Sequence, residues 1–235
     1  MTLTINPVRV AKLKLDRGLM TYFSNYGEKI WISVNAWLIK HPDGDILVDT
    51  GAYAEDMKNY WHEETITVNT LEDALAEYDE KIEDIKHLII THLHFDHALN
   101  ARLLKNATVY VQKTEYEFQN QPHPMMAGLY NTQFIEGMPL KLIDGEAEIV
   151  PGVRVFPVPG HTPGAQAVEV DTAKGKAIIS GFCCTKDVFP EGGGVTPGIH
   201  VSAVDAFDSV NKVIARADII IPQHDPEMAD LKQIP

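Results

Sequence analysis

Short apolar runs bounded by turn residues fill the first third of the chain, and they read as strands at 8–15, 30–40 and 45–49. The last two are separated by His41-Pro42-Asp43-Gly44, and an Asp-Gly step between apolar runs is a strong local hairpin signal. Over 70–78 the rhythm changes: Thr70 can cap, and Leu71, Ala74, Leu75 and Tyr78 recur at helical spacing, which predicts a helix. From His87 to Thr91 the chain is short, continuous and apolar, the mark of a buried strand, and it ends where a group of histidines begins. Those histidines are expected on a loop at the strand's C-terminal end.

A second cycle of strand candidates follows at 108–112, 148–156, 165–170 and 177–180. Between the first two, residues 119–137 hold two Pro, two Gly and scattered apolar side chains without periodicity, which predicts a long loop. From Ala203 onward, Phe207, Val210 and Ile214 step by three and four, the stripe of an amphipathic helix, and 219–221 reads as the strand after it. Strand-rich and helix-containing stretches, met twice, suggest two facing sheets with helices outside. Periodicity alone supports a mixed α/β fold.

With 235 residues and 45% hydrophobic content, the chain is long enough for one well-buried domain, and 1–235 is read as a single unit. No stretch approaches the roughly 20 apolar residues that span a bilayer, which predicts no membrane association. The opening Met1-Thr2-Leu3-Thr4 lacks the basic head and apolar core of a signal peptide, so the expected location is cytoplasmic. Lys and Arg number 20 against 33 Asp and Glu, a net charge of −13 with no dense basic run, which disfavours nucleic acid. The two cysteines, Cys183 and Cys184, are adjacent and cannot close an ordinary disulfide loop, so they are packing thiols or ligands.

Candidate chemistry concentrates in Thr91-His92-Leu93-His94-Phe95-Asp96-His97. Three imidazoles and a carboxylate within six residues are donors that divalent zinc, manganese or iron accept. His161, in Pro159-Gly160-His161-Thr162-Pro163-Gly164, and His224, in Pro222-Gln223-His224-Asp225-Pro226, sit in rigid turns at strand exits. His41, His62 and His87 have no such setting. Asp49, in Val48-Asp49-Thr50-Gly51, ends a strand, where it either orients a ligating imidazole or closes an Asx turn.

Together these segments resemble the metallo-β-lactamase superfamily, whose motifs run in order through Asp49-Thr50-Gly51, residues 92–97, Gly160-His161-Thr162-Pro163-Gly164, Ser180-Gly181 and His224. The resemblance implies an α/β fold, the αββα sandwich of two mixed sheets with helices on the outer faces. It also implies two divalent metals, expected to be zinc with manganese or iron as alternatives. His92, His94 and His161 would hold the first, and Asp96, His97 and His224 the second. Within the superfamily, Asn35-Ala36-Trp37-Leu38-Ile39, Pro163-Gly164-Ala165-Gln166 and the closing Gln223-His224-Asp225-Pro226 look like the N-acyl-homoserine lactonase branch, which quenches quorum signals.

One motif departs from the family. Where most members supply a bridging aspartate, Phe182-Cys183-Cys184 follows Ser180-Gly181, and no carboxylate comes before Asp187. Cys183, Cys184 or neither could take that place, with Cys183 the candidate ligand, and zinc–sulfur bonding of about 2.3 Å makes a thiolate sound; the second site is expected to bind metal more weakly, or to prefer zinc if a thiolate fills it. Cys184 also stands before Thr185-Lys186, where the lactonase branch often carries a tyrosine.

The reading is a metal-dependent hydrolase that opens a lactone or related cyclic ester or amide, by attack of a metal-bound hydroxide on the carbonyl between ions about 3.5–4 Å apart. Asp96 is the candidate catalytic proton carrier. Alternatives are a glyoxalase II-like thioester hydrolase and a non-catalytic metal-binding member of the fold. The expected partner is a small molecule, and a homodimer is allowed. Met125, Met126, Leu129, Tyr130 and Phe134, or Tyr22, Phe23 and Tyr26, could line its pocket, and residues 192–200 read as a flap or a plain surface turn.

Overall fold

In the computed structural model, which describes residues 2–234, the strands form two mixed sheets. Strands β1 (Ile5–Asp16), β2 (Lys29–Ile39), β3 (Ile46–Val48), β4 (Thr65–Thr67), β5 (His87–Ile89), β6 (Thr108–Gln112) and β7 (Leu140–Ile143) build the larger, in the order β4-β1-β2-β3-β5-β6-β7. Strands β8 (Ala147–Val150), β9 (Val153–Pro157), β10 (Gln166–Thr172), β11 (Gly175–Ile179) and β12 (Ile219–Ile221) build the smaller, in the order β12-β11-β10-β9-β8. The Asp-Gly turn does join an antiparallel pair, with Leu38 opposite Leu47. Pairing from β3 through β5 and β6 to β7 is parallel, as is β11 with β12.

Alternation along each strand divides the apolar side chains among three layers. Trp37, Ile39, Ile46, Val48 and Ile89 face Val153, Val155, Val168, Ala177 and Ile179 across the gap between the sheets. Their neighbours Ala36, Leu38, Leu47 and Leu88 point the other way. There they pack with Leu71, Ala74 and Leu75 of helix α2, which follows the short α1 (α1, Ala54–Met57; α2, Leu71–Ala76). On the far side Phe156, Ala167 and Ile178 pack against Val210 and Val213 of the long helix α5 (Ala203–Arg216). A period of two on a strand buried on both faces makes every position apolar, and each fully buried aliphatic side chain contributes about 1.5–3 kcal/mol. The result is the expected αββα sandwich.

Several boundaries moved. Residues 148–156 form not one strand but the hairpin of β8 and β9, because Pro151 offers no N–H and Gly152 turns at φ 82°. Asp96 and His97 lie on a one-turn helix, α3 (Phe95–Ala98), rather than on the open loop expected. Helix α4 (Lys113–Asn120) escaped notice because its sequence is mostly polar. On α5 Val210 is buried and Ile214 packs against the same core as expected, whereas Phe207 is 46% exposed and Ala206 and Val213 complete the buried stripe. Thr70 caps α2 as expected, accepting from the Asp73 N–H at 3.1 Å. A last one-turn helix, α6 (Pro226–Ala229), follows β12. Among the described residues, no helix is long and apolar enough to cross a membrane.

The first turn of α4 is pressed against the turn that carries His161. A Cβ on Gly164 would lie 2.1 Å from the backbone nitrogen of Glu115, and this bare approach lets the Gly164 N–H reach the Glu115 carboxylate at 3.1 Å. Gly164→Ala is therefore expected to cost upwards of about 2 kcal/mol in a urea titration, against less than about 0.5 kcal/mol for Gly128→Ala, whose Cβ would meet nothing within 4 Å. Equal midpoints for the two variants would contradict this account of the packing.

Candidate metal centre

Strands β3, β5 and β12 end at the same edge of the sandwich, and the chemistry-bearing residues leave from those ends. Asp49 follows β3 with φ 57°, a left-handed backbone that aspartate tolerates better than most residues. Its buried carboxylate accepts from the Thr91 N–H (2.8 Å), the Thr91 hydroxyl (2.8 Å), His97 Nδ1 (2.8 Å) and Gln223 Nε2 (2.5 Å). Of the two roles open to Asp49, orienting an imidazole is the one its hydrogen bonds perform.

His92, His94, His97, His161, His224, Asp96 and Cys183 are all buried; the donor atoms of all but His94 gather at one place, and the His94 ring stands beside them without joining either group of ligand atoms. His92 Nε2 lies 3.1 Å from His161 Nε2, and His97 Nε2 lies 3.2 Å from His224 Nε2. Asp96 Oδ2 is 3.6 Å from His97 Nε2 and 3.7 Å from His224 Nε2. The rings of His94 and His161 are 4.8 Å apart, centre to centre. Two donor groups result: Asp96, His97, Cys183 and His224, and then His92, His161 and Cys183, each with ligand atoms within 4.8 Å of one another.

Tautomers can be worked out from the far side of each ring. His161 Nδ1 sits 2.7 Å from the Ile199 carbonyl and His224 Nδ1 2.8 Å from that of Ser33; a carbonyl only accepts, so both Nδ1 atoms carry hydrogen. His97 Nδ1 donates to Asp49 in the same way. The Thr91 hydroxyl spends its proton on Asp49, which leaves its oxygen to accept from His92 Nδ1 at 3.2 Å. In the neutral rings every inward Nε2 is then a bare lone pair, and two such pairs at 3.1–3.2 Å repel unless a cation lies among them. Nε2 of His94 is buried and has no hydrogen-bond partner at all. These are the features a metal would satisfy.

Protonation states fit the same account. Burial, with the neighbouring imidazoles, holds His92 and His94 well below the usual histidine range and lowers His224, while His161 is pushed down to about 4. For His97 burial also works downward, but the carboxylates of Asp96 and Asp49 outweigh it and raise that ring. A cluster that stays largely neutral near pH 7 keeps its lone pairs available to a cation.

Two placements were not legible from spacing. Glu115, in the first turn of α4, is fully buried and accepts from the Leu93 N–H (3.0 Å), the Tyr130 hydroxyl (3.0 Å), the Thr162 hydroxyl (2.7 Å) and the Gly164 N–H. It thus ties the loop between His92 and His94 to the turn around His161. In sequence it is one acidic residue in a mostly polar stretch. The carbonyls of Ser33 and Ile199 carry no side-chain signal either. His41 and His87 do hold structural contacts, with the Pro151 carbonyl and Tyr110 respectively.

Gly181 turns at φ 79°, with its α-carbon so close to β10 that a Cβ would meet the Gln166 carbonyl oxygen at 2.1 Å. Beyond that turn the side chains alternate. Phe182 and Cys184 enter the layer under α5, where Cys184 Sγ pairs with the Ser180 hydroxyl at 3.2 Å, and Cys183 faces the histidines, 3.2 Å from His224 Nε2. Residues 192–200 are tied down, with Ile199 hydrogen-bonded to both Leu19 and His161.

A narrow pocket, with a cavity volume of about 30 Å³, opens onto the cluster. His94, Asp96, His161 and Cys183 stand on its polar side, and Leu13, Leu15, Met20, Ile32, Trp61, Phe95, Leu129 and Ile199 form the rest. Of the pocket candidates drawn from the sequence, Leu129 lines it, Tyr130 lies just behind His94 with ring centres 4.8 Å apart, Met126 and Phe134 are core, and Met125, Phe23 and Tyr26 are exposed.

The chain resembles proteins of known activity over nearly all of its length. An N-acyl homoserine lactonase of Bacillus thuringiensis is 26% identical, aligned over 94% of this chain and 92% of its own. A solved quorum-quenching N-acyl homoserine lactone lactonase superposes with a TM-score of 0.82 at 26% identity, covering 98% of this chain and 95% of that one. Another, an N-acyl homoserine lactone hydrolase with the product N-hexanoyl-L-homoserine at its catalytic metal centre, gives 0.78 at 26% identity, over 97% and 95%. The family model for the metallo-beta-lactamase superfamily matches residues 30–224, from the start of β2 to the last of the clustered histidines, and this chain belongs to that superfamily.

Proposed function

We propose that this chain is a metal-dependent hydrolase that opens lactones, with N-acyl homoserine lactones as the first substrates to try. The observation that carries the reading is the convergence of bare imidazole nitrogens, one of them without any partner, at the floor of an apolar-walled pocket. By the family pattern His92, His94 and His161 would hold one ion and Asp96, His97 and His224 the other, and of these the donor atoms of His92 and His161, and those of Asp96, His97 and His224, lie within 4.8 Å of one another. When bound, such ions supply an electrophile for a carbonyl oxygen and activate water at neutral pH.

The rest falls to the chain itself. The aliphatic and aromatic walls exclude water and favour an uncharged substrate with an apolar substituent. Asp96 lines the pocket beside His94 and His161, placed to carry a proton to the alkoxide released when the ring opens. Glu115 and Asp49 hold the two histidine-bearing loops in register through the hydrogen bonds already described. Among the described residues no Lys or Arg lines the pocket, which speaks against the carboxylates of a glutathione thioester. Cys184 leaves no hydroxyl where the lactonase branch often has a tyrosine, so substrate recognition must rest on other groups.

A panel of lactones, thioesters and phosphodiesters, assayed with zinc, manganese or iron restored, should show turnover of lactones above the other classes; thioester turnover without lactone turnover would overturn the proposal. Asp96→Asn should lower kcat by about 10²–10⁴-fold in a folded protein, and near-normal turnover would remove Asp96 from proton transfer.

Acid should loosen the metal-free protein. Four rings, those of His92, His94, His161 and His224, have folded-state pKa values below the ordinary 6.5, so below that pH the unfolded chain takes up protons that the folded cluster refuses. Stability is thereby lost as pH falls from 6.5 towards about 4; the burial-raised Glu115 offsets part of that loss, whereas the raised His97 makes its contribution above 6.5 and adds no slope below it. The melting temperature of chelator-treated protein is expected to drop across that window, and a rise on acidification would contradict the neutral-ring assignment.

A further inference from the structure

We propose that Cys183 is a shared donor, a thiolate standing between the ion held by His92, His94 and His161 and the ion held by Asp96, His97 and His224, and that it biases the centre towards thiophilic ions such as zinc over manganese. The inference rests on the metal-dependent reading above and deepens it.

Cys183 is the one residue common to both donor groups. Its Sγ is 3.2 Å from His224 Nε2 and lies within 4.8 Å of the ligand atoms of His92 and His161. Tetrahedral zinc with Zn–N of about 2.0–2.1 Å and Zn–S of about 2.3 Å sets ligand atoms roughly 3.4–3.6 Å apart, so the observed spacing needs only a few tenths of an ångström to open. The His94 ring lies 4.8 Å, centre to centre, from those of His92 and His161, and its Nε2 is buried without a partner among the described residues, an independent sign that this space takes a cation.

Other candidates for the shared position are engaged elsewhere. Asp187 accepts from Arg17 Nε at 2.8 Å, Asp225 accepts from the Lys186 N–H at 2.7 Å, and Cys184 is turned away to Ser180. The tight turn at Gly181 fixes this choice, because it sets which of the following side chains faces the site. A thiolate restores the negative charge that a carboxylate would bring, but as a soft donor it suits zinc and discriminates against manganese, which prefers oxygen. Forming it releases one proton from the thiol as the ion binds.

X-ray absorption on the zinc-loaded protein should show a sulfur neighbour at about 2.3 Å. Cobalt-loaded protein should show a sulfur-to-metal charge-transfer band that Cys183→Ser abolishes and Cys184→Ser keeps, and Cys183→Asp should reduce the preference for zinc over manganese at least tenfold. Two bound ions with no sulfur neighbour would overturn the inference and leave the hydrolase reading standing. A sulfur neighbour in a protein that opens no lactone would do the reverse, and a chain that binds no metal would overturn both. Should Cys183→Ser fail to fold, the absorption spectrum of the unmodified chain decides alone.

Discussion

Everything at the functional edge hangs on one buried carboxylate. Asp49 has no solvent contact and no Lys or Arg among its hydrogen-bond partners, so its charge is held by directed donors from β5, α3 and the exit of β12. An anion buried in this way is costly unless every lone pair is used, and that requirement fixes how the three segments sit relative to one another. Because one of the donors is His97 Nδ1, the same constraint also fixes which ring nitrogen of His97 is free to work. Fold and chemistry are coupled here through a single proton's position.

Glu115 repeats the device on the other side of the cluster, with backbone and hydroxyl donors around a fully buried carboxylate. Burial raises its pKa against the pull of those donors. The two carboxylates divide the labour: Asp49 orders the half containing His97 and Gln223, and Glu115 the half containing Leu93 and Thr162. Between them lie imidazoles with hydrogen on the outer nitrogen and a lone pair on the inner one.

How much of this could be read from the sequence depended on whether a feature was local. The histidine spacing at 92–97, the turns around His161 and His224 and the Asp-Gly hairpin are local; the hairpin forms as read, and the structure brings His92, Asp96, His97, His161 and His224 together, although Asp96 and His97 sit on a short helix and not on a loop. Fold class followed because strands buried on both faces and an amphipathic helix leave a periodic trace. Glu115 was invisible because its role depends on a contact with Gly164, 49 residues away, and the Ser33 carbonyl because a backbone oxygen has no letter of its own. The choice between Cys183 and Cys184 turned on a left-handed glycine just upstream, a matter of alternation that spacing alone leaves open.

The bond from His224 to the Ser33 carbonyl closes a loop of 191 residues. Contacts of that span form late, since their closure entropy must be met before they return any stability. The ring of His224 takes this orientation only where β2 and the segment after β12 meet. The inner nitrogen of that ring is therefore set by a contact between two parts of the chain that lie near its opposite ends.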